Sequence, residues 1–195
     1  MLIFNYGVMG SSKSAHALIT EYNYKKIGFY TVLIKPQIDT RSTMVESRIG
    51  IKSKCYSFKK DDNILDLPIY PKGYDKKNLT QTNWKKVIII VDEVQFCTTK
   101  QIEQLKTLST FCDVFCYGLK TNFKTLLFEG SKRLIEIADI TKEIPYVCEC
   151  GKMAQVNALF ENNKLITEGS EIRIGNKEYK PLCYECFKKY KQINK

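Results

Sequence analysis

The sequence predicts an α/β protein with a parallel sheet flanked by helices, followed by a small metal-binding domain. Three observations lead to this prediction. Apolar, β-branched runs alternate with helix-like segments through residues 1–142, as expected for strands joined by crossover helices. A glycine-bearing loop with a Lys-Ser pair connects the first strand to the first helix. Paired cysteines at metal-site spacing then mark residues 143–195 as a second domain, which ends in a basic tail.

The first strand and the first helix are predicted from apolar spacing. Leu2, Ile3 and Phe4 form the opening apolar run, which predicts a strand. A helix is expected over residues 15–26. Helical spacing predicts that Leu18, Ile19 and Tyr22 face the core.

Further strands are predicted at residues 29–34, 87–91 and 114–117, of which the run 87–91 is the clearest buried strand. The segment 42–83 is polar and lysine-rich, so we expect an irregular excursion with one strand around residues 51–58.

Two more helices are predicted from capping signals. Thr98 and Gln101 have the spacing of a capping box, which opens a helix that continues to about residue 109. Ser131 is expected to cap a short third helix.

Composition excludes several classes of protein. No apolar run approaches the ~20 residues of a membrane-spanning helix, and the opening segment lacks the charged n-region of a signal peptide. We therefore expect a cytoplasmic protein with no membrane partner. The net charge of +10 suits polyanionic ligands such as nucleotides and nucleic acids. The only histidine, His16, lies in the first predicted helix, and we interpret it as incidental.

The loop at residues 7–14 approaches the phosphate-binding pattern GxxxxGK[ST]. Gly7 matches the first glycine, whereas Ser12 stands where the second is expected. In such a loop successive N–H groups converge on phosphate oxygens. Lys13 would reach the β- and γ-phosphates, and the Ser14 hydroxyl would bind Mg²⁺. The pattern predicts a P-loop NTPase-like sheet, and the alternative is an ordinary turn with a chance Lys-Ser pair.

Asp92 and Glu93 follow directly on the apolar run 87–91. A carboxylate at the end of such a strand is the usual partner of a phosphate loop, because it holds Mg²⁺ or its waters. The second carboxylate can take a proton from an attacking hydroxyl. The alternative is an acidic pair on the surface.

The cysteines divide into two groups. Cys148 with Cys150 and Cys183 with Cys186 predict a closed, tetrahedral Cys₄ zinc site with a structural role. The alternative is four reduced thiols. The other four are interpreted as ordinary thiols: Cys55, Cys97, Cys112 and Cys116.

Several motifs together resemble the thymidine kinases of the cytosolic, zinc-containing type. They run in the same order from about residue 2 to about residue 190, and the CxCG form of the first cysteine pair is similar to the enterobacterial and phage branch. The motifs are Met9…Lys13-Ser14, Asp39-Thr40-Arg41, Ser47-Arg48-Ile49-Gly50, Asp92-Glu93-x-Gln95-Phe96, residues 117–123, residues 128–131 and the paired cysteines.

The resemblance implies ATP-dependent phosphorylation of the 5′-hydroxyl of thymidine, and of deoxyuridine, in nucleotide salvage for DNA synthesis. Glu93 would be the catalytic base, and Ser14 and Asp92 would hold Mg²⁺. The implied phosphate and ATP site comprises Gly7, Val8, Met9, Gly10, Ser11, Ser12, Lys13, Ser14, Asp39, Arg41, Asp92 and Gln95.

The resemblance also implies a nucleoside pocket closed by a lasso loop at residues 172–179, within a zinc-binding lasso domain. Besides Ser12, which stands where the family has Gly, two positions depart from the family: Asn157 stands where Thr is frequent near the base methyl, and Cys186 where the similar branch often has His. The implied nucleoside residues are Met9, Phe96, Leu119, Phe123, Phe128, Asn157, Ile172, Ile174, Gly175 and Tyr179.

The implied partners are ATP and thymidine, with dTTP as feedback inhibitor and a homotetramer as the assembly. No nucleic-acid partner is expected. Two alternatives remain at this point. One is a nucleic-acid-binding zinc-ribbon protein with a P-loop core, and the other is a kinase-like protein that binds nucleotide without turnover.

Overall fold

The computed structural model describes residues 1–37, 43–70, 86–169 and 178–193. Within these ranges the four α-helices are α1 (Lys13–Lys26), α2 (Thr99–Leu108), α3 (Glu129–Ile137) and α4 (Tyr184–Ile193). The strands are β1 (Leu2–Tyr6), β2 (Tyr30–Pro36), β3 (Met44–Glu46), β4 (Lys52–Lys54), β5 (Tyr56–Phe58), β6 (Val87–Val91), β7 (Asp113–Gly118), β8 (Ile140–Glu143), β9 (Val156–Glu161), β10 (Lys164–Ile166) and β11 (Glu178–Leu182).

The central sheet has six parallel strands in the order β5-β2-β6-β7-β1-β8. Strand β6 lies between β2 and β7, and all five of its residues are buried, as expected for a central parallel strand covered on both faces. The predicted fold class, a parallel α/β sheet flanked by helices, is confirmed. Because all strands run in one direction, their carboxyl ends meet at one edge, and the loops after β1, β6 and β7 lie side by side there.

Helix α1 packs on the sheet through a narrower face than its spacing predicted. Ala17 and Leu18 are buried, but Ile19 is 46% and Tyr22 is 63% exposed. The prediction that Ile19 and Tyr22 face the core is therefore wrong. Helix α1 packs on the sheet through the face that carries the small residues Ala15 and Ala17. Ile19 and Tyr22 therefore point toward solvent.

The capping box of α2 is confirmed, because the Thr98 hydroxyl accepts from the Gln101 N–H and the Gln101 side chain accepts from the Thr98 N–H. The predicted cap of α3 is wrong. This helix begins at Glu129, and Ser131 lies inside it, where its hydroxyl donates to the Leu119 carbonyl. In the described ranges no helix is both long and apolar enough to cross a membrane.

The described residues 43–70 hold three short strands instead of the single one predicted for this segment. Strands β3 and β4 form an antiparallel hairpin of their own, whereas β5 joins the edge of the central sheet beside β2. Only Val45 and Phe58 among the residues of these strands are fully buried. The strands therefore lack the apolar pattern from which a strand is predicted.

The cysteine-bearing part has its own small antiparallel sheet in the order β10-β9-β11, followed by α4. Its core residues include Val156, Ala158, Phe160 and Leu182. The last strand of the central sheet, β8, ends at Glu143. The division into domains 1–142 and 143–195 stays a prediction.

Candidate active site

The loop at residues 7–12 runs from the carboxyl end of β1 to the first turn of α1. A side chain at Gly7 would meet the Ile144 carbonyl at 2.7 Å and the Ser11 hydroxyl at 2.4 Å, so only glycine fits there. Gly10 adopts φ +85°, and Ser12 also takes a left-handed conformation, with φ 59°. Ser12 thus adopts a backbone conformation natural to the glycine that the motif expects. It precedes the first turn of α1, whose N–H groups have no partner within the helix and favour anions.

Lys13 lies almost buried beneath this loop, with 9% of its surface exposed. Its ammonium group donates to the Val8 carbonyl at 2.7 Å and to the Ser11 hydroxyl at 3.4 Å. Burial lowers the pKa of Lys13 to about 8, although the nearby Glu93 and Asp92 carboxylates raise it. A bound phosphate would supply the negative charge that favours the ammonium form.

Asp92 follows the last residue of β6 and is buried, with 5% of its surface exposed. Burial, together with the charge of Glu93, raises the pKa of Asp92 to about 6, while a hydrogen bond from the Ser14 hydroxyl acts in the opposite direction. The serine hydroxyl and the carboxylate are therefore adjacent. An all-oxygen pair of this kind suits Mg²⁺, so the residues fit the predicted metal position.

Glu93 is held in a strained conformation, with φ 54°. Its carboxylate accepts a hydrogen bond from the Gln95 side-chain amide. The same Gln95 amide uses its oxygen to accept from the Leu119 N–H at 3.0 Å. Gln95 is 2% exposed, so it acts in this structure as a buried bridge that fixes the Glu93 carboxylate relative to the end of β7. Strain of this kind concentrates at functional sites.

An open cavity of about 210 Å³ lies over the loop at residues 7–12. It brings Glu93 together with the loop, with Leu119 after β7 and with the turn of the β3–β4 hairpin. Its lining residues are Met9, Gly10, Ser12, Lys13, Ser14, Ala15, Glu46, Ser47, Arg48, Ile49, Glu93 and Leu119.

The hairpin turn is the part of the site to which the sequence assigned no role. Arg48 is close enough for its positive charge to lower the pKa of Lys13. The turn is held by hydrogen bonds from the Ser47 N–H and hydroxyl to the Ile51 carbonyl. The motif Ser47-Arg48-Ile49-Gly50 is part of the family resemblance, but its only local signal is the glycine, which takes φ +85°.

The aromatic residues predicted for the nucleoside pocket are only partly brought together. Phe96 and Phe128 stack edge to face, with ring centroids 5.6 Å apart. Phe123 is 1% exposed and lies in the protein interior. Asn157 is also buried, and its side chain contacts the backbone of Met9 and of Thr121.

Several predicted site residues lie outside the described residues: Asp39, Arg41, Ile172, Ile174 and Gly175. Tyr179 is described. It lies half-buried in β11, opposite Leu159 of β9.

The four paired cysteines come together, as their spacing predicted. The sulfur atoms of Cys148, Cys150, Cys183 and Cys186 all lie within 4.8 Å of one another, and those of Cys150 and Cys183 are 3.5 Å apart. A tetrahedral zinc site with Zn–S bonds of about 2.3 Å places its sulfur atoms about 3.8 Å apart. The cluster can therefore hold a metal ion such as zinc. Lys152 and Glu185 link the two cysteine segments by an ion pair at 2.6 Å.

A parallel α/β sheet, a glycine-bearing loop with a lysine, and the strand-end carboxylate of Glu93 at one cavity are typical of the phosphotransferase class. Comparison with known proteins gives the family. Residues 1–187 match the family model described as "Thymidine kinase". The chain belongs to the thymidine kinase family, and the resemblance inferred from the motifs is confirmed.

Curated relatives match over nearly the whole chain. The thymidine kinase of Enterobacteria phage T4 is 40% identical over 187 residues, which cover 93% of this chain and 92% of the relative. That of Rhodopirellula baltica is 38% identical over 193 residues, covering 96% and 87%. That of Zymomonas mobilis is 36% identical over 195 residues, covering 95% of both chains.

Proposed function

We propose that the protein transfers the γ-phosphoryl group of ATP to the 5′-hydroxyl of thymidine, and also of deoxyuridine, in nucleotide salvage. The observation that carries the proposal is the cavity that Lys13 and Glu93 share above the phosphate loop. Membership in the thymidine kinase family supports the choice of substrate. The family match does not favour either a nucleic-acid-binding protein or a nucleotide binder without turnover.

The residues around the cavity can perform the reaction without a covalent intermediate. The N–H groups at the start of α1 and the Lys13 ammonium would hold the ATP phosphates. Glu93 would accept the proton of the 5′-hydroxyl. The 5′-oxygen of the nucleoside would form a bond to the γ-phosphorus as the bond from that phosphorus to the bridging oxygen of ADP breaks. Ser14 and Asp92 would hold Mg²⁺, which neutralises charge on the phosphates. Arg48 adds a further positive charge at the cavity.

A radiolabel transfer assay tests the function directly. Purified protein with Mg·[γ-³²P]ATP is expected to label thymidine and deoxyuridine, but not 5′-deoxythymidine, which lacks the acceptor hydroxyl. ATP binding without any transfer would identify a nucleotide binder without turnover. Neither binding nor transfer, with retention on single-stranded DNA, would instead favour the nucleic-acid-binding alternative.

Ser12, which replaces the second glycine of the phosphate-binding pattern, is expected to have little effect on ATP affinity. Because Ser12 already adopts the left-handed conformation and is exposed, Ser12→Gly is expected to change the Kd for Mg·AMP-PNP by less than about threefold. Ser12→Val is expected to weaken binding about tenfold, since a β-branched residue resists this conformation. Calorimetric titration measures both. An improvement of more than about tenfold in Ser12→Gly would show instead that the serine side chain obstructs the phosphates.

The remaining parts of the proposal concern the metal, the assembly and the location. Zinc is the proposed occupant of the cysteine cluster, with a structural role, since four thiolates leave no open position. A cytoplasmic location agrees with cysteines kept as reduced metal ligands. A homotetramer and inhibition by dTTP stay predictions from the family resemblance.

A further inference from the structure

The phosphate loop is packed against the cysteine-bearing part of the chain along four consecutive residues. Gly7 approaches the Ile144 carbonyl so closely that a Cβ atom would lie 2.7 Å from it. Val8 is 6% exposed and belongs to the same apolar cluster as Cys148 and Cys183. Gly10 lies against the ring of Tyr146, which a Cβ atom would meet at 3.4 Å. The remaining contact is made by Met9.

Met9 is held by Asn157, a residue 148 positions further along the chain. The Asn157 side-chain oxygen accepts from the Met9 N–H at 2.7 Å, and its nitrogen donates to the Thr121 carbonyl at 2.8 Å. The partners fix the orientation of the amide, because an N–H requires an acceptor and a carbonyl requires a donor. Asn157 is 2% exposed, so water does not compete freely for either bond.

Asn157 is itself rigidly placed. It lies in β9, the middle strand of the small sheet, and is paired there with Pro181 of β11. Strand β11 ends at Leu182, directly before Cys183. The position of the Asn157 amide is therefore fixed by the same strands that carry the cysteine cluster.

We propose that Asn157 is a positioning residue for ATP binding: it holds the Met9 peptide and thereby sets the shape of the phosphate loop. This inference rests on the proposed function only in taking residues 7–14 as the ATP phosphate site. The Met9 N–H is engaged by Asn157, so its role is to orient the loop and not to contact phosphate. A loop ordered in advance binds phosphate without the entropic cost of ordering on binding. The bond to Thr121 ties the same amide to the segment between Leu119 and Phe123.

Three variants test the proposal. Asn157→Leu keeps the size of the side chain and removes both hydrogen bonds. Asn157→Thr replaces the amide with a hydroxyl that can still accept from the Met9 N–H. Gln155→Met is the matched control, since it removes an amide from an exposed residue two positions earlier.

The primary readout is the Kd for Mg·AMP-PNP, measured without nucleoside and well below the melting temperature of each variant. We expect about tenfold weaker binding for Asn157→Leu, an intermediate value for Asn157→Thr and an unchanged value for Gln155→Met. Hydrogen exchange of the Met9 amide should accelerate in Asn157→Leu and less in Asn157→Thr. A residue that only stabilises the fold would lower the melting temperature without changing this Kd.

A Kd within about twofold of wild type in folded Asn157→Leu overturns the proposal. If the preference for thymidine over deoxyuridine changes at the same time, Asn157 contacts the base instead. Wild-type protein that binds Mg·AMP-PNP but does not phosphorylate thymidine would refute the proposed function and leave the Asn157 test valid. Wild-type protein that does not bind Mg·AMP-PNP would overturn both.

Discussion

Replacing Glu93 with Gln is expected to lower thymidine phosphorylation by roughly 10²–10⁴-fold, the range for loss of a general base. The fold and ATP binding should stay close to wild type. Gln95 can still donate to the oxygen of the new amide, so the side chain keeps its position but can no longer accept the proton of the 5′-hydroxyl. Steady-state kinetics and an AMP-PNP titration measure the two effects separately.

Glu143→Gln is the matched control for this prediction. Glu143 is also a carboxylate at the carboxyl end of a parallel strand, β8, but it does not line the cavity that contains Lys13. Its replacement should leave turnover within about twofold of wild type. Near-normal turnover in Glu93→Gln would assign the base to another group.

The sequence was most informative where local chemistry decides the structure. Strand β6 consists of five consecutive β-branched residues, which only a strand covered on both faces accommodates, and all five are buried. The start of α2 depends on Thr98 and Gln101, three residues apart, so the pattern alone predicts the cap. The cysteine cluster could also be predicted from the sequence, because cysteine pairs at such short spacing are typical of metal sites.

Prediction failed where the outcome depends on which surfaces meet. Ile19 and Tyr22 have the spacing of a core face, but the central sheet packs on Ala17 and Leu18 instead. Ser131 has the composition of a cap, but a tertiary hydrogen bond to Leu119 uses its hydroxyl inside α3. Periodicity describes a helix by itself and carries no information about the surface opposite it.

The candidate site shows the same limit. The proximity of Lys13, Ser14, Asp92 and Glu93 could be predicted because each follows directly on a recognisable strand or loop pattern. The bond between Met9 and Asn157 joins residues 148 positions apart and has no local signal. The approach of Arg48 to Lys13 likewise depends on how the β3–β4 hairpin folds over the phosphate loop, and nothing in the residues around Arg48 specifies that position.

Removing the metal is expected to weaken the binding of both ATP and the nucleoside. Purified protein should contain about one zinc ion per chain. Cys183→Ser should abolish most of this zinc and destabilise the strands around β9, because a structural zinc site contributes folding free energy directly. Val8 packs in the same apolar cluster as Cys148 and Cys183, so the phosphate loop should loosen as well. We therefore expect Mg·AMP-PNP affinity to fall at least about tenfold, together with the loss of nucleoside binding.

Cys55→Ser is the matched control for zinc removal, because Cys55 is a half-buried thiol that lies outside the cysteine cluster. It should keep the full zinc content and the wild-type Kd for AMP-PNP. Elemental analysis gives the metal content, and hydrogen exchange compares the cysteine-bearing part of the chain with the central sheet. Faster exchange is expected in β9, in β11 and at residues 8–10, whereas β6 should keep its protection because all its residues are buried in the central sheet.

Active protein without metal would exclude a structural zinc. Metal-free protein with unchanged AMP-PNP affinity would show that the phosphate loop holds its shape without the cysteine-bearing part.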